Sequence, residues 1–343
     1  MSARGSLADH ALLFATAFYH ASGRAPNAWT FSERAKLEVY YRCMVVCYAS
    51  LRRCYPGARL VLFSNRELPE PFNGHLRSLG VSTEACGERY VGDKAFSNGF
   101  PGCLYTLDVI DALAGTPPAG IETLVLIDSD CIVRQRLADP EEVGGGEGRI
   151  YAYEPGYPTN MVANGQSRAS LTLALSYMSG HLVPAPVPLY GGEFLAAPVK
   201  RLPRLAQNVE RFWAWMKTQG RDVFGEQLTE EHVLSVALAD TGLDVRSTTR
   251  QVKRIWTADA FNTVEGNEAA IAIWHLPAEK KKGFRDLYNY LQTHRDFADL
   301  SDEAFAALVD KAVPLQNRIR HYPGKQAALR LRNVARLLVT GRA

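Results

Sequence analysis

The stretch that decides the fold is Thr123–Val133, TLVLIDSDCIV. Its apolar run, Leu124 to Ile127, predicts a buried strand, and Ile132-Val133 resumes the apolar pattern after Asp128-Ser129-Asp130. Carboxylates spaced i, i+2 at a strand end point to the same side of the chain. They fall where open α/β sheets bind ligands, at the C-terminal end of a strand. Two hard oxygen donors that close hold each other's protons unless a cation lies between them. A divalent ion, Mg²⁺ or Mn²⁺, held partly by these acids and partly by substrate phosphates, accounts for both. Turn chemistry after a strand is the competing account.

Outward from this stretch, apolar runs alternate with helical patterns. Leu12 to Phe18 predicts a first strand. Thr30-Phe31-Ser32-Glu33 is a capping box opening a helix to about Cys54, where Pro56-Gly57 stops it. Arg59 to Phe63 and Val81 to Ala85 predict two further strands, with a short helix at His75 to Leu79 between them. A helix from about Cys103 to Leu113 leads into the Asp-Ser-Asp strand. This alternation predicts an α/β fold: a mostly parallel Rossmann-type sheet with helices on both faces. Beyond it, Ile150 to Tyr153 predicts a strand, Tyr157 to Gly165 a pocket-lining loop, and Arg168 to Met178 a helix. Leu189 to Phe194 is expected to be a strand whose Gly191 and Gly192 admit something close to the backbone. Helices follow at Pro203 to Lys217, with Trp213 and Trp215 as core or pocket wall, and after Thr229. Ala269 to Trp274 predicts a strand delivering His275, followed by Lys280–Lys282 and a helix from Phe284 to Leu291.

At 343 residues, with 47% hydrophobic and 22% charged, the chain has ample core for one large or two modest domains. The expected division is a main unit over 1–295, in two halves (12–130 and 131–295), with a C-terminal helical basic extension over 296–343. No apolar run is long enough to span a membrane, and Met1 to Asp9 lacks the layout of a secretory signal. The six cysteines form no disulfide framework. Cys43 and Cys47, one helical turn apart, have no partner pair for zinc, so free thiols in a reducing cytoplasm are expected. From Lys311 onward lie eight of the 39 basic residues and none of the 36 acids, so the rest of the chain carries about −5. Within that tail Leu331, Val334 and Leu338 form one apolar face, which suits a helix docked on its own domain or a peripheral contact with anionic lipid. No recognition motif accompanies the charge, so nucleic acid is not an expected partner.

Three pieces of this sequence resemble nucleotide-sugar-dependent glycosyltransferases of the GT-A fold, and are most similar to the retaining families 8 and 6. LVLIDSDCIV is similar to the family 8 strand ending in a metal-binding DxD motif; the resemblance implies that Asp130 ligates the metal and that Asp128 binds the metal or the donor ribose. WHLPAEKK carries His275 and Lys281 at the family 8 spacing, although Ala278, Lys282 and Gly283 depart from that pattern. It implies His275 as third metal ligand and Lys281, or a neighbouring lysine, at the pyrophosphate. YGGEF and LTEEHVL are similar to the family 6 arrangement of a Gly-Gly strand and an acid–x–His helix start, implying Gly191 and Gly192 at the donor sugar, Glu230 as catalytic acid with His232 its companion, and Glu231 as the rival assignment. Such an enzyme would move a sugar from a nucleotide-diphosphate donor, UDP-linked, to a hydroxyl acceptor with retention.

The chemistry is coherent. A diphosphate leaving group gathers negative charge that a divalent ion and a lysine stabilise, and a carboxylate assists the oxocarbenium-like carbon. Phe18 or Tyr19 would stack on the base, while Lys94, within reach of the donor phosphates or sugar, reads first as a solvated surface lysine. Two alternatives stand beside this reading. A sugar nucleotidyltransferase needs a Gly-rich basic loop after the first strand, where Ala21 to Asn27 offers one Gly and one Arg. A non-catalytic nucleotide-sugar-binding protein would bind without turnover.

Overall fold

A computed structural model describes residues 9–20, 33–93, 101–137, 148–220, 228–240, 242–258, 262–294 and 296–318. Thr30, Lys94, the loop at 21–27 and the amphipathic tail beyond residue 318 lie outside the described residues. Strand β1 (Leu12–Phe18) shows why the sheet is buried on both faces. Leu12 and Phe14 enter one core, while Leu13 and Ala15 enter the other. The order continues with α1 (Glu33–Cys54), β2 (Arg59–Ser64), α2 (Phe72–Ser78), β3 (Val81–Glu84) and α3 (Tyr105–Gly115). Strand β4 (Thr123–Ile127) divides in the same way: Leu124 and Leu126 face one core, and Val125 and Ile127 the other. Then come β5 (Cys131–Val133), β6 (Ile150–Ala152), α4 (Arg168–Ser179), β7 (Phe194–Pro198), α5 (Leu202–Trp215) and α6 (Glu230–Ala239). The described chain ends with β8 (Val245–Ser247), β9 (Val252–Arg254), β10 (Ile273–His275), α7 (Gly283–Thr293) and α8 (Asp302–Ala312).

Seven strands form the main sheet in the order β3-β2-β1-β4-β7-β6-β8. Strand β7 runs antiparallel to β4 and β6, and the remaining pairings are parallel. The expected mostly parallel α/β architecture is therefore what forms. One core joins the sheet to α1, α7 and α8, and the other joins it to α3, α4, α5 and α6. A second sheet, β5-β10-β9, packs against α1 in the first core.

Two sequence expectations need correcting. The glycine-bearing segment 189–192 is not strand; β7 begins only at Phe194, because Gly191 turns its N–H to Tyr153 O (2.9 Å) ahead of the ladder. The strand expected from Ala269 is shorter, since Glu268–Ala270 is a 3-10 turn and only Ile273–His275 pairs. Strands β8 and β9, three residues each, had no legible periodicity. Trp213 is core: its ring meets Tyr90 edge-on, and its Nε1–H donates to Asp93 Oδ2 (3.1 Å). All six cysteines are free thiols. Among the described residues no helix is long and apolar enough to cross a membrane.

The described part of the C-terminal extension is built into the first core. Phe297, Phe305, Val309, Val313 and Leu315 are buried there, and Arg53 stacks on the Phe305 ring while pairing with Asp302. Removing a buried Phe side chain costs about 3–5 kcal/mol. Phe305→Ala is therefore expected to lower the urea-unfolding free energy of the whole chain by that amount in a single transition. An unchanged main transition would show residues 296–318 to be an appendage.

Candidate active site

The site begins where β4 stops. After Ile127 the chain turns, with Cys131 N–H donating to Asp128 O (3.2 Å) and Ser129 N–H to Asp128 Oδ1 (2.8 Å). Asp130 is consequently carried inward, with its side chain fully buried. The three-stranded sheet brings the distant partners. Strand β10 lies antiparallel to β5 with His275 opposite Cys131, and Leu276 N–H donates to Asp130 O (3.0 Å). Strand β9 runs parallel on the other side of β10 and sets Arg254 beside His275. In the main sheet, β7 pairs Phe194 with Ile127, and Asp128 N–H continues the ladder to Glu193 O (3.1 Å).

Asp128, Asp130 and His275 each offer a ligand atom within 4.8 Å of the others. His275 Nε2 lies 3.4 Å from Asp128 Oδ2 and 3.2 Å from Asp130 Oδ2, and Nδ1 lies 2.9 Å from Glu193 Oε1. Lys280 Nζ is 2.9 Å from Asp130 Oδ2 and sits over the Tyr40 ring. Arg254 grips Glu193 with Nε and Glu231 with Nη2, and Asn164 Nδ2 donates to Glu231 Oε2 (3.3 Å). Asn164, at the end of the expected pocket loop, adopts a φ of 52°, the left-handed region that Asn tolerates better than most residues.

Charge proximity sets the protonation states. Burial opposes ionisation of Asp130, but Lys280 and His275 overcome it and hold its carboxyl far below the usual range. Burial and then the neighbouring Asp130 push Asp128 up to about 6. Burial disfavours imidazolium at His275, yet Asp130 and Glu193 raise it to about 10. Burial works against Glu193 too, and Arg254 with His275 draws it down to about 2. Burial and the Glu231 charge raise Glu230 to about 8.

A cavity of 410 Å³ collects most of the expected residues: Phe18, Tyr19, Asp128, Gly192, Glu230, Glu231 and His275 all line it. Four are placed elsewhere. Asp130, fully buried, does not itself line the cavity. His232 is fully buried, its Nδ1 accepting from Thr229 N–H (3.2 Å) and its Nε2–H donating to Ala163 O (3.1 Å), so it caps α6. Lys281 is exposed and off the cavity lining, whereas its neighbour Lys280 lines it. Gly191 is buried behind the lining, where a Cβ would stand 1.9 Å from Glu193 Oε2; at Gly192 a Cβ would meet Glu230 Oε1 at 2.6 Å. Both glycines make room for carboxylates of this chain. Sequence reasoning missed Glu193 and Arg254, and offered Lys280 only as an unnamed neighbour of Lys281. The Gly-Gly-Glu adjacency was a signal for Glu193, and Lys280 stood within a noted lysine run, but Arg254 had none.

The donor set fits a divalent cation. Asp130 Oδ1 is buried with no hydrogen-bond partner, beside a second carboxylate and an imidazole nitrogen, a donor set of the kind that holds a divalent ion. No protein-family model and no curated protein matches the chain. Among solved structures it is similar to apo mouse xyloside xylosyltransferase 1, at 15% identity and a TM-score of 0.45, over 78% of this chain and 97% of that one.

Arg254 stands between the two buried carboxylates of Glu193 and Glu231, so its removal leaves charge that is less compensated. Arg254→Met is expected to destabilise the protein by about 3–5 kcal/mol at pH 7 in urea titrations. Glu193 has a folded pKa near 2 against an ordinary 4.5, so its stabilisation is full above pH 4.5 and fades as pH falls toward 2. The gap between wild type and variant should narrow across that window; a gap independent of pH would contradict the pairing.

Proposed function

We propose that this protein is a metal-dependent glycosyltransferase that moves a sugar from a nucleotide-diphosphate donor, UDP-linked, to a hydroxyl-bearing acceptor. The observation that carries this reading is the clustering of Asp128, Asp130 and His275, two of which, Asp128 and His275, line a cavity that also presents Glu230 and Glu231. Metal ligands and sugar-side carboxylates thus share one enclosure, as departure of a diphosphate from an anomeric carbon requires. A divalent ion, Mn²⁺ or Mg²⁺, when bound, supplies Lewis-acid stabilisation of the charge gathering on the diphosphate. Asp128 and Asp130 would hold it through carboxylate oxygens and His275 through Nε2.

The other residues divide the work by chemistry. Phe18 and Tyr19, at the end of β1, offer aromatic faces for a nucleobase. Lys280 neutralises Asp130, and its flexible stem would let the ammonium reach phosphate oxygens of a donor. Glu231, held by Arg254 and Asn164, keeps a fixed carboxylate on the sugar side. Glu230 holds its proton near neutrality and so donates a hydrogen bond to a sugar or acceptor oxygen. Retention of configuration follows the motif resemblance alone.

Two measurements test this. With Mn²⁺ present, wild type is expected to hydrolyse a UDP-sugar slowly, and Asp130→Ala to lose more than roughly a hundredfold of that rate, beyond what loss of a supporting partner costs. Equal rates in the two proteins would remove the mechanism. UDP with Mn²⁺ at about a hundred times its dissociation constant should stabilise the fold by about 2.7 kcal/mol, visible as a raised Tm. A Tm that rises without any turnover would favour a binding protein.

A further inference from the structure

We propose that Glu193 is a positioning residue of the metal centre, seating His275 so that its Nε2 faces Asp128 and Asp130. This rests on the metal-binding reading above. Glu193 is fully buried and touches the ligand set twice. Its Oε1 accepts from His275 Nδ1–H at 2.9 Å, and its backbone oxygen accepts from Asp128 N–H at 3.1 Å. A proton fixed at Nδ1 leaves the Nε2 lone pair for a cation, and a carboxylate at Nδ1 fixes the ring plane and raises its basicity.

The surroundings hold that carboxylate in place. Arg254 grips Glu193 and is itself fixed by Glu231 and by Tyr157 OH, which accepts from Nη1 (3.4 Å). Oε2 folds under Gly191, where any Cβ would stand 1.9 Å away. A salt bridge serving stability alone would need only Glu193 and Arg254. The third contact, to the imidazole, and the missing Cβ at residue 191 aim the carboxylate at a ligand.

The test titrates Mn²⁺ alone into wild type, Glu193→Gln, Gly191→Ala and His275→Ala, and into the Glu193→Gln/His275→Ala and Gly191→Ala/His275→Ala pairs. Free Mn²⁺ is read by electron paramagnetic resonance, and near-UV circular dichroism checks the fold. Glu193→Gln and Gly191→Ala are each expected to weaken Mn²⁺ binding by roughly ten- to a hundredfold. The ¹⁴N coupling of the imidazole to bound Mn²⁺ should shrink in Glu193→Gln. Because Glu193 acts through His275, Glu193→Gln should add less than about twofold in the His275→Ala background. Folded Glu193→Gln with wild-type affinity, or an equal effect in both backgrounds, overturns the assignment while leaving the metal centre intact. Wild type that takes up no Mn²⁺ overturns the metal centre itself, and this assignment with it. If Glu193→Gln does not fold, Gly191→Ala, which leaves all the charged groups in place, decides the question by the same comparison.

Discussion

Crowded like charge, much of it buried, is the constraint around which this molecule is arranged. Asp128, Asp130, Glu193, Glu230 and Glu231 converge on one region at the end of β4, and two unit charges 4 Å apart repel by about 4 kcal/mol even at an effective dielectric of 20. The structure answers by alternation. Lys280 sits on Asp130, His275 stands between Asp130 and Glu193, and Arg254 stands between Glu193 and Glu231. Glu230, left beside Glu231, is raised to about 8 and answers by keeping its proton.

That alternation depends on a small piece of backbone. The three-stranded sheet β5-β10-β9 aligns Cys131, His275 and Arg254 in one row, so residues far apart in the chain arrive side by side. The antiparallel strand β7 adds Glu193 from the main sheet, opposite the residue that follows Ile127. Both sheets are anchored in the core shared by α1, α7 and α8. The candidate ligand atoms therefore sit at ladder ends, which fix position better than free loops do.

Much of the scaffold was legible because its signals are local. Strand β1 (Leu12–Phe18) follows the predicted run, α1 ends at Cys54 before Pro56-Gly57, and Asp128, Asp130 and His275 do meet. Legibility failed where the cause was non-local. His232 looked like a companion to an acid, but its Nε2 is taken by the distant Ala163 O while its Nδ1 caps the helix at Thr229. Lys281 had the expected spacing, yet the turn after His275 buries Lys280 and exposes its neighbour. The paired glycines suggested an approaching ligand, and what approaches them is this chain's own Glu193 and Glu230.

By itself, then, the sequence determined an α/β chain with two aspartates at a strand tip, since hydrophobic period and i, i+2 spacing need no knowledge of distant contacts. Tertiary structure decided which cation stands by which carboxylate. Arg254 illustrates the division: nothing near it in the chain marks it, and only the register of β9 against β10 carries it to Glu193 and Glu231. Pairing of buried charges is settled by distances of a few ångströms across strands, and those distances exist only after the sheets have formed.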